Sequence, residues 1–231
     1  MTPLRFLRNK VGLGLVRLIR SRHGVVVFYG DRGRQADLDV IARVRLERKL
    51  LLSDHEALQL MRMVRNVAKV PGDIAEVGTY KGASAKLIAE ARVGQKKTLH
   101  LFDTFEGLPK LQDIDRPFFK ERQYAADFND VAGYLAPYPD IALYAGTFPE
   151  TAAPIVSKKF SFVHLDVDLY ESTKQALAFF YPKMAVGGVI VSHDYLVTPG
   201  VSEAVREFME DKPEPVLESS WRQCVIVKTS S

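Results

Sequence analysis

Cysteine occurs once in the 231 residues, as Cys224, so neither an internal disulfide nor a thiolate-based metal cage is available. That usage asks for no oxidising compartment, and a reducing cytoplasm fits best. No uninterrupted run of ~18 apolar residues occurs, and no small-residue cleavage site follows a long apolar stretch. Neither a spanning helix nor a secretory signal is therefore expected. Acidic residues are missing from positions 1–30 altogether. Residues 1–50 carry twelve Lys and Arg against four Asp and Glu, net +8, whereas residues 51–231 carry twenty against twenty-four, net −4. The overall charge of +4 is thus a property of the opening, and the mildly acidic remainder would repel phosphates, which argues against a nucleic-acid partner. In that opening Arg5, Arg8, Lys10, Arg17, Arg20 and Arg22 interleave with Leu, Val, Phe and Ile. Such a segment is a solvated arm, a surface packed on a partner or another copy of the chain, or a contact with an anionic membrane surface.

What is present is the profile of a folded globular protein: 47% hydrophobic and 26% charged residues, with 15 Gly and 12 Pro. Residues 1–52 read as a basic N-terminal helical arm and residues 53–231 as one domain. A helix is predicted over 36–51. A second starts at Ser53, where Ser53 and Glu56 have capping-box spacing, and carries Leu58, Met61, Val64 and Val67 at helical intervals until Pro71-Gly72 stops it. Apolar runs of strand length then recur at 74–77, 98–102, 141–144, 160–165 and 189–192, with helical stretches at 83–91 and 173–181 and from Pro199 through Phe208. Segments 216–219 and 223–228 can pair as an antiparallel hairpin around Trp221. Strands apolar on both faces, alternating with helices, predict an α/β fold: a doubly wound, mostly parallel sheet with an N-terminal helical extension and a C-terminal antiparallel hairpin. Ligands of such sheets lie beyond the carboxyl ends of the strands.

The strand ends carry the chemistry. The first leads into Glu76, Gly78, Thr79, Tyr80, Gly82 and Ser84, a glycine-bearing turn opening a helix. Its E-x-G-x-x-x-G spacing is not that of a dinucleotide site, because a carboxylate would repel a pyrophosphate yet suits a cationic or amine-bearing ligand. A strand-to-helix turn with no ligand has the same appearance. The second strand ends at Asp103, where an acid can hold the two ribose hydroxyls. Together these acids favour an adenosyl ligand without phosphates, S-adenosylmethionine being the obvious candidate. Gly146, Thr147 and Phe148 follow the third strand, as a flank for adenine or as a simple turn. The fourth and fifth strands end in Asp166 and in His193-Asp194, which adjacency would bring to one rim for cation binding or proton chemistry. Asp168 reads as a helix cap or structural support, and Asp194 has capping as its alternative. His100 and His164 read as satisfied core histidines, and Cys224, Met61 and Met63 as packing.

Five ordered blocks of the chain resemble the macrocin O-methyltransferase-like (TylF-type) group of class I S-adenosylmethionine-dependent methyltransferases, which has a Rossmann-like fold. They run 70–78, 101–109, 146–151 and 165–173, with the last from Tyr181-Pro182-Lys183 through Gly187-Gly188-Val189-Ile190. The resemblance implies that Glu76, Gly78, Gly82 and Asp103 bind S-adenosylmethionine. It also implies a divalent metal, Mg²⁺ or Mn²⁺, at the first Asp of D-x-D-L-Y and a pair of adjacent acids after the fifth strand. Here those positions hold Asp166, His193 and Asp194, so an imidazole replaces one acid and shifts preference from Mg²⁺ toward Mn²⁺ or Zn²⁺. The reaction implied is methylation of a hydroxyl on a sugar or other polyhydroxylated small molecule, with Asp166 or His193 receiving the proton. A metal-independent methyltransferase with His193 as general base and a non-catalytic nucleoside-binding module are the competing expectations.

Overall fold

Runs that are apolar on both faces form the parallel centre of a seven-stranded sheet in the computed structural model, which describes residues 34–219, 222–230. The strands are β1 (Asp73–Val77), β2 (Leu99–Asp103), β3 (Ile141–Ala145), β4 (Phe160–Leu165), β5 (Met184–Ser192), β6 (Leu217–Glu218) and β7 (Cys224–Val227). Their order is β3-β2-β1-β4-β5-β7-β6. Strands β1 to β5 are parallel, and β7 runs antiparallel to both β5 and β6. The helices are α1 (Gln35–Glu47), α2 (Asp54–Asn66), α3 (Ala83–Ala91), α4 (Phe128–Leu135), α5 (Tyr170–Phe180) and α6 (Pro199–Met209). None of the described helices is long and apolar enough to cross a membrane.

Two apolar layers hold this arrangement. On one face Ile74, Leu99, Leu101 and Phe162 pack against Ile41 and Val44 of α1, Leu60 and Val64 of α2, and Leu87 and Ile88 of α3. On the other face Phe102, Phe160, Val163 and Leu165 pack against Leu177 and Phe180 of α5 and Val205 of α6. The alternation of period two along each strand sends successive side chains into opposite layers.

The Ser53–Glu56 capping box that starts α2 is present in full. Residues 34–52 do not stand apart from the domain. Ile41, Val44, Leu50 and Leu52 are buried in the core, and Asp37 of α1 is paired with Arg62 and Arg65 of α2. The basic stretch 1–30 and Trp221 lie outside the described residues.

Three features differ from expectation. Helix α1 ends at Glu47, short of 51, because Arg48 turns extended and its guanidinium pairs with Asp130 of α4. Strand β5 begins at Met184 and runs through Gly187-Gly188, where the β4–β5 register shifts and Gly188 lies against the Phe160 carbonyl. Helix α4 carries no prediction, and residues 104–127 before it form a long connection.

Candidate active site

Strand order reverses at β1, whose neighbours are β2 and β4, and a crevice opens beyond the carboxyl ends of these strands. It is a cleft of about 1030 Å³, counting the part open to solvent. Gly78, Tyr80, Asp103, Gly146, Thr147 and Phe148 line one side, and Asp166, His193 and Asp194 line the other. Nine residues singled out in the sequence thus meet around one space. Thr79 and Ser84 line a smaller adjoining pocket between residues 49–52 and the glycine turn.

Two expected ligand contacts fall elsewhere. Glu76 is fully buried in the sheet, where it accepts a hydrogen bond from His164 Nδ1 at 2.9 Å, and it does not line the cleft. Burial raises its pKa above the ordinary carboxylate value despite His164. Gly82 starts α3 in a left-handed conformation and faces Val131 and Tyr134 of α4 rather than the cleft.

Beside the glycine turn, the Asp103 carboxylate is fixed by its own backbone surroundings. Oδ2 accepts the N–H of Tyr80 and Oδ1 that of Phe105, both at 2.7 Å. Burial raises its pKa against those hydrogen bonds. The ring of Phe148 stacks on Phe180 and meets Phe102 edge-on, which gives this end of the cleft an apolar wall.

On the acidic side, Asp166 Oδ1 lies 3.0 Å and Asp194 Oδ2 3.2 Å from His193 Nδ1, while Glu56 Oε1 lies 3.5 Å from His193 Nε2. Three carboxylates surround one buried imidazole. Burial alone would lower the His193 pKa, but Asp166, Asp194 and Glu56 outweigh it and hold the value well above the ordinary range. Burial would likewise raise Asp166, and the charge and hydrogen bonding of His193 bring it below its usual value. The distances are those of ion pairs, yet neither ring nitrogen makes a hydrogen bond of good angle. Asp166, His193 and Asp194 offer donor atoms within 4.8 Å of one another, and the buried His193 nitrogens lack a directed partner, a set that suits a divalent cation.

Asp168 is not a helix cap. Leu169 holds the position before α5, and Asp168 turns into the cleft at φ 63°. Burial, followed by the charges of Asp166 and Asp194, raises its pKa well above the ordinary range. Tyr80 and Asp194 share its left-handed backbone, at φ 48° and 58°. Non-glycine residues in that region are uncommon and gather at functional sites. Tyr124, Glu56 and Arg222 were not singled out for the site. Tyr124 lines the cleft with its ring 5.6 Å from that of Tyr80, and Arg222 Nη1 lies 3.7 Å from Asp194 Oδ1. Asp115, in the long connection, is 1% exposed; its Oδ2 accepts the N–H of Gln112 and its Oδ1 that of Tyr170 at the start of α5. The remaining histidine expectations divide. His100 is satisfied by Asp73 and Tyr144, each at 3.1 Å, whereas His164 bonds Glu76 through one nitrogen and leaves the other without a protein partner. Cys224 is buried in β7 with its thiol pushed up to about 12, chiefly by burial, and Met61 packs in the core.

A family model described as macrocin-O-methyltransferase (TylF) matches residues 52–221. Mycinamicin III 3''-O-methyltransferase of Micromonospora griseorubida is 28% identical over 157 residues, 61% of each chain. Demethyldecarbamoylnovobiocin O-methyltransferase of Streptomyces niveus is 29% identical over 153 residues, 60% of this chain and 58% of that one. The match therefore spans about three fifths of the length of these relatives. Among solved structures, the O-methyltransferase NovP superimposes with a TM-score of 0.68 at 25% identity, covering 75% of this chain and 79% of its own. The calicheamicin methyltransferase CalS11 shares the fold with a TM-score of 0.64 at 19% identity, over 87% of this chain and 94% of its own.

Proposed function

The chain belongs to the macrocin O-methyltransferase family, and from that premise we propose that it moves the methyl group of S-adenosylmethionine onto a hydroxyl oxygen of a sugar or other polyhydroxylated small molecule. The observation that carries this reading is the meeting of Asp103 and the glycine turn with Asp166, His193 and Asp194 around one cleft. The relatives named above are by name O-methyltransferases of mycinamicin III and demethyldecarbamoylnovobiocin, which supports a hydroxyl of a small molecule as acceptor.

Asp103, Gly78 and Tyr80 hold the ribose end of the cofactor, and Gly146, Thr147 and Phe148 flank the base. A sulfonium cation is favoured where carboxylates outnumber cations, as they do beside Asp166 and Asp168. The acceptor oxygen attacks the methyl carbon opposite sulfur. A C–O bond forms, the C–S pair returns to sulfur as S-adenosylhomocysteine leaves, and the hydroxyl proton passes to Asp166. Holding both reactants in near-attack geometry supplies much of the acceleration. A divalent cation held by Asp166, His193 and Asp194 would bind an acceptor hydroxyl and lower its pKa. The imidazole in that set favours Mn²⁺ or Zn²⁺ over Mg²⁺.

The metal-independent reading, with His193 as general base, needs a neutral imidazole at working pH. The three carboxylates around His193 favour its charged form, a cost that falls equally on cation binding through Nδ1, which must displace that proton. A cytoplasmic setting accords with the lone, buried Cys224.

The test is incubation with S-adenosylmethionine and a panel of glycosides, read by mass spectrometry for gain of one CH₂ and by the appearance of S-adenosylhomocysteine. Full turnover in EDTA would remove the metal from this reading. Cofactor binding without transfer to any acceptor would favour a binding module, and NAD(H) co-purifying in the cleft would overturn the class.

A further inference from the structure

Glu56 is 2% exposed in the first turn of α2, and its two carboxylate oxygens serve different ends. Oε2 accepts the Ser53 N–H at 2.7 Å and so completes the capping box. That box needs only one oxygen. Oε1 instead accepts the Arg222 N–H at 3.2 Å and lies 3.5 Å from His193 Nε2. On the opposite side of the ring, Nδ1 faces Asp166 and Asp194 at 3.0 and 3.2 Å. A buried carboxylate is costly unless opposed by a donor or a positive charge, and here the imidazole edge supplies one. In a neutral imidazole one nitrogen donates and the other accepts, and a cation shared with Asp166 and Asp194 can take only Nδ1, which leaves the proton on Nε2 facing Glu56. The Nδ1 lone pair is then left for the two aspartates' side. Metal-bound histidines are held in this way, by a carboxylate on the nitrogen that does not bind.

We propose that Glu56 is a positioning residue that fixes the ring and tautomer of His193, making Nδ1, with Asp166 and Asp194, the third donor of a site for Mn²⁺ or Zn²⁺. The capping box clamps the carboxylate in place, so the first turn of a core helix sets the geometry of the acidic rim. The methyltransferase reading is needed only to say what the cation does; the donor arrangement stands apart from it.

The test uses the full chain. Nitrogen-15 histidine spectra of Zn²⁺-loaded protein should show Nδ1 bound to metal and Nε2 carrying the proton. Glu56→Gln keeps a residue that capping boxes accept, so it should remain folded and bind S-adenosylhomocysteine as before. Its Mn²⁺ affinity by calorimetry should fall by roughly 10- to 100-fold. Ser53→Ala breaks the box without removing the carboxylate; it should lower the melting temperature while keeping Mn²⁺ affinity within about threefold. Zinc on Nε2, no Mn²⁺ or Zn²⁺ binding by the wild type, unchanged affinity in Glu56→Gln, or an equal loss in Ser53→Ala would each overturn the proposal. A Glu56-dependent Mn²⁺ site in a protein that methylates no acceptor would instead sink the methyltransferase reading and leave this one standing.

Discussion

Gly78, in the turn leaving β1, lies against the main-chain carbonyl of Asp166 with no space for a β-carbon between them. Its φ of 93° is also one that other residues adopt only under strain. The Asp166 N–H meanwhile donates to the Val77 carbonyl at 2.9 Å, so the two strand ends are tied at this point. Gly78→Ala must therefore push β1 and β4 apart where the glycine turn meets the acidic rim. The expected cost is ~2 kcal/mol or more, a fall in melting temperature of roughly 4–8 °C for a chain of this size. Calorimetric melting should show it, together with weaker S-adenosylhomocysteine binding. A variant with wild-type melting and affinity would contradict the tight approach.

Asp103 places one carboxylate oxygen on each of two backbone N–H groups. In Asp103→Asn one of those N–H groups faces an amide N–H, and the charge available to ribose hydroxyls is gone. Loss of a charged hydrogen bond is worth ~1.5–3 kcal/mol, so affinity for S-adenosylhomocysteine should fall roughly 10- to 100-fold. Titration calorimetry reads this directly. Undiminished affinity would remove Asp103 from the nucleoside site.

Lys97 tests the fold independently of the site. Its Nζ is buried and donates to the carbonyls of Val67 at 2.9 Å and Val70 at 2.6 Å and to Ser161 Oγ at 2.7 Å. Burial lowers its pKa, with Asp73 opposing. Lys97→Met fills the space but leaves two carbonyls without that donor, and should cost ~2–4 kcal/mol in urea unfolding. Cofactor affinity should be unaffected, since the contacts lie at the end of α2 away from the cleft.

Glu214 sets an acid limit on stability. Burial would raise its pKa, but hydrogen bonds from Tyr181 and the Thr229 N–H, with Lys228 beside them, bring it down to about 2 from an unperturbed 4.5. A folded value below the unfolded one means the stabilisation is complete above about pH 4.5 and is lost as pH falls toward about 2. The gap in melting temperature between wild type and Glu214→Gln should therefore narrow through that window. A gap independent of pH would show that Glu214 is not ionised against these partners.

The parallel strands were legible because burial on both faces leaves predominantly apolar runs, as in Phe160–Leu165, where Ser161 and His164 alone are polar. The rim was legible for a related reason: strands that end side by side in a parallel sheet bring the residues after them together, as Asp166 and His193 are. Local spacing could not reveal what arrives from elsewhere. Glu56 announced only its helix cap, and nothing in its neighbourhood signalled the histidine beyond β5. Asp168 looked like a cap because it precedes a helix, yet a left-handed φ, invisible in the residue type, turns it into the cleft. The fifth strand was expected only from Val189, whereas it includes Gly187-Gly188, and the carbonyls of Ala185 and Phe160 crowd the place of a β-carbon at Gly188.

Asp115 gives the long connection between β2 and α4 a mooring near its midpoint, on the first turn of α5. Residues 104–127 then behave as two short spans sharing a fixed post, each with less slack to lose when a guest settles beneath it. Substitutions or insertions within either span should reshape that part of the vestibule while the other keeps its course. The anchor thereby separates how the wall can diversify from how the sheet stays intact.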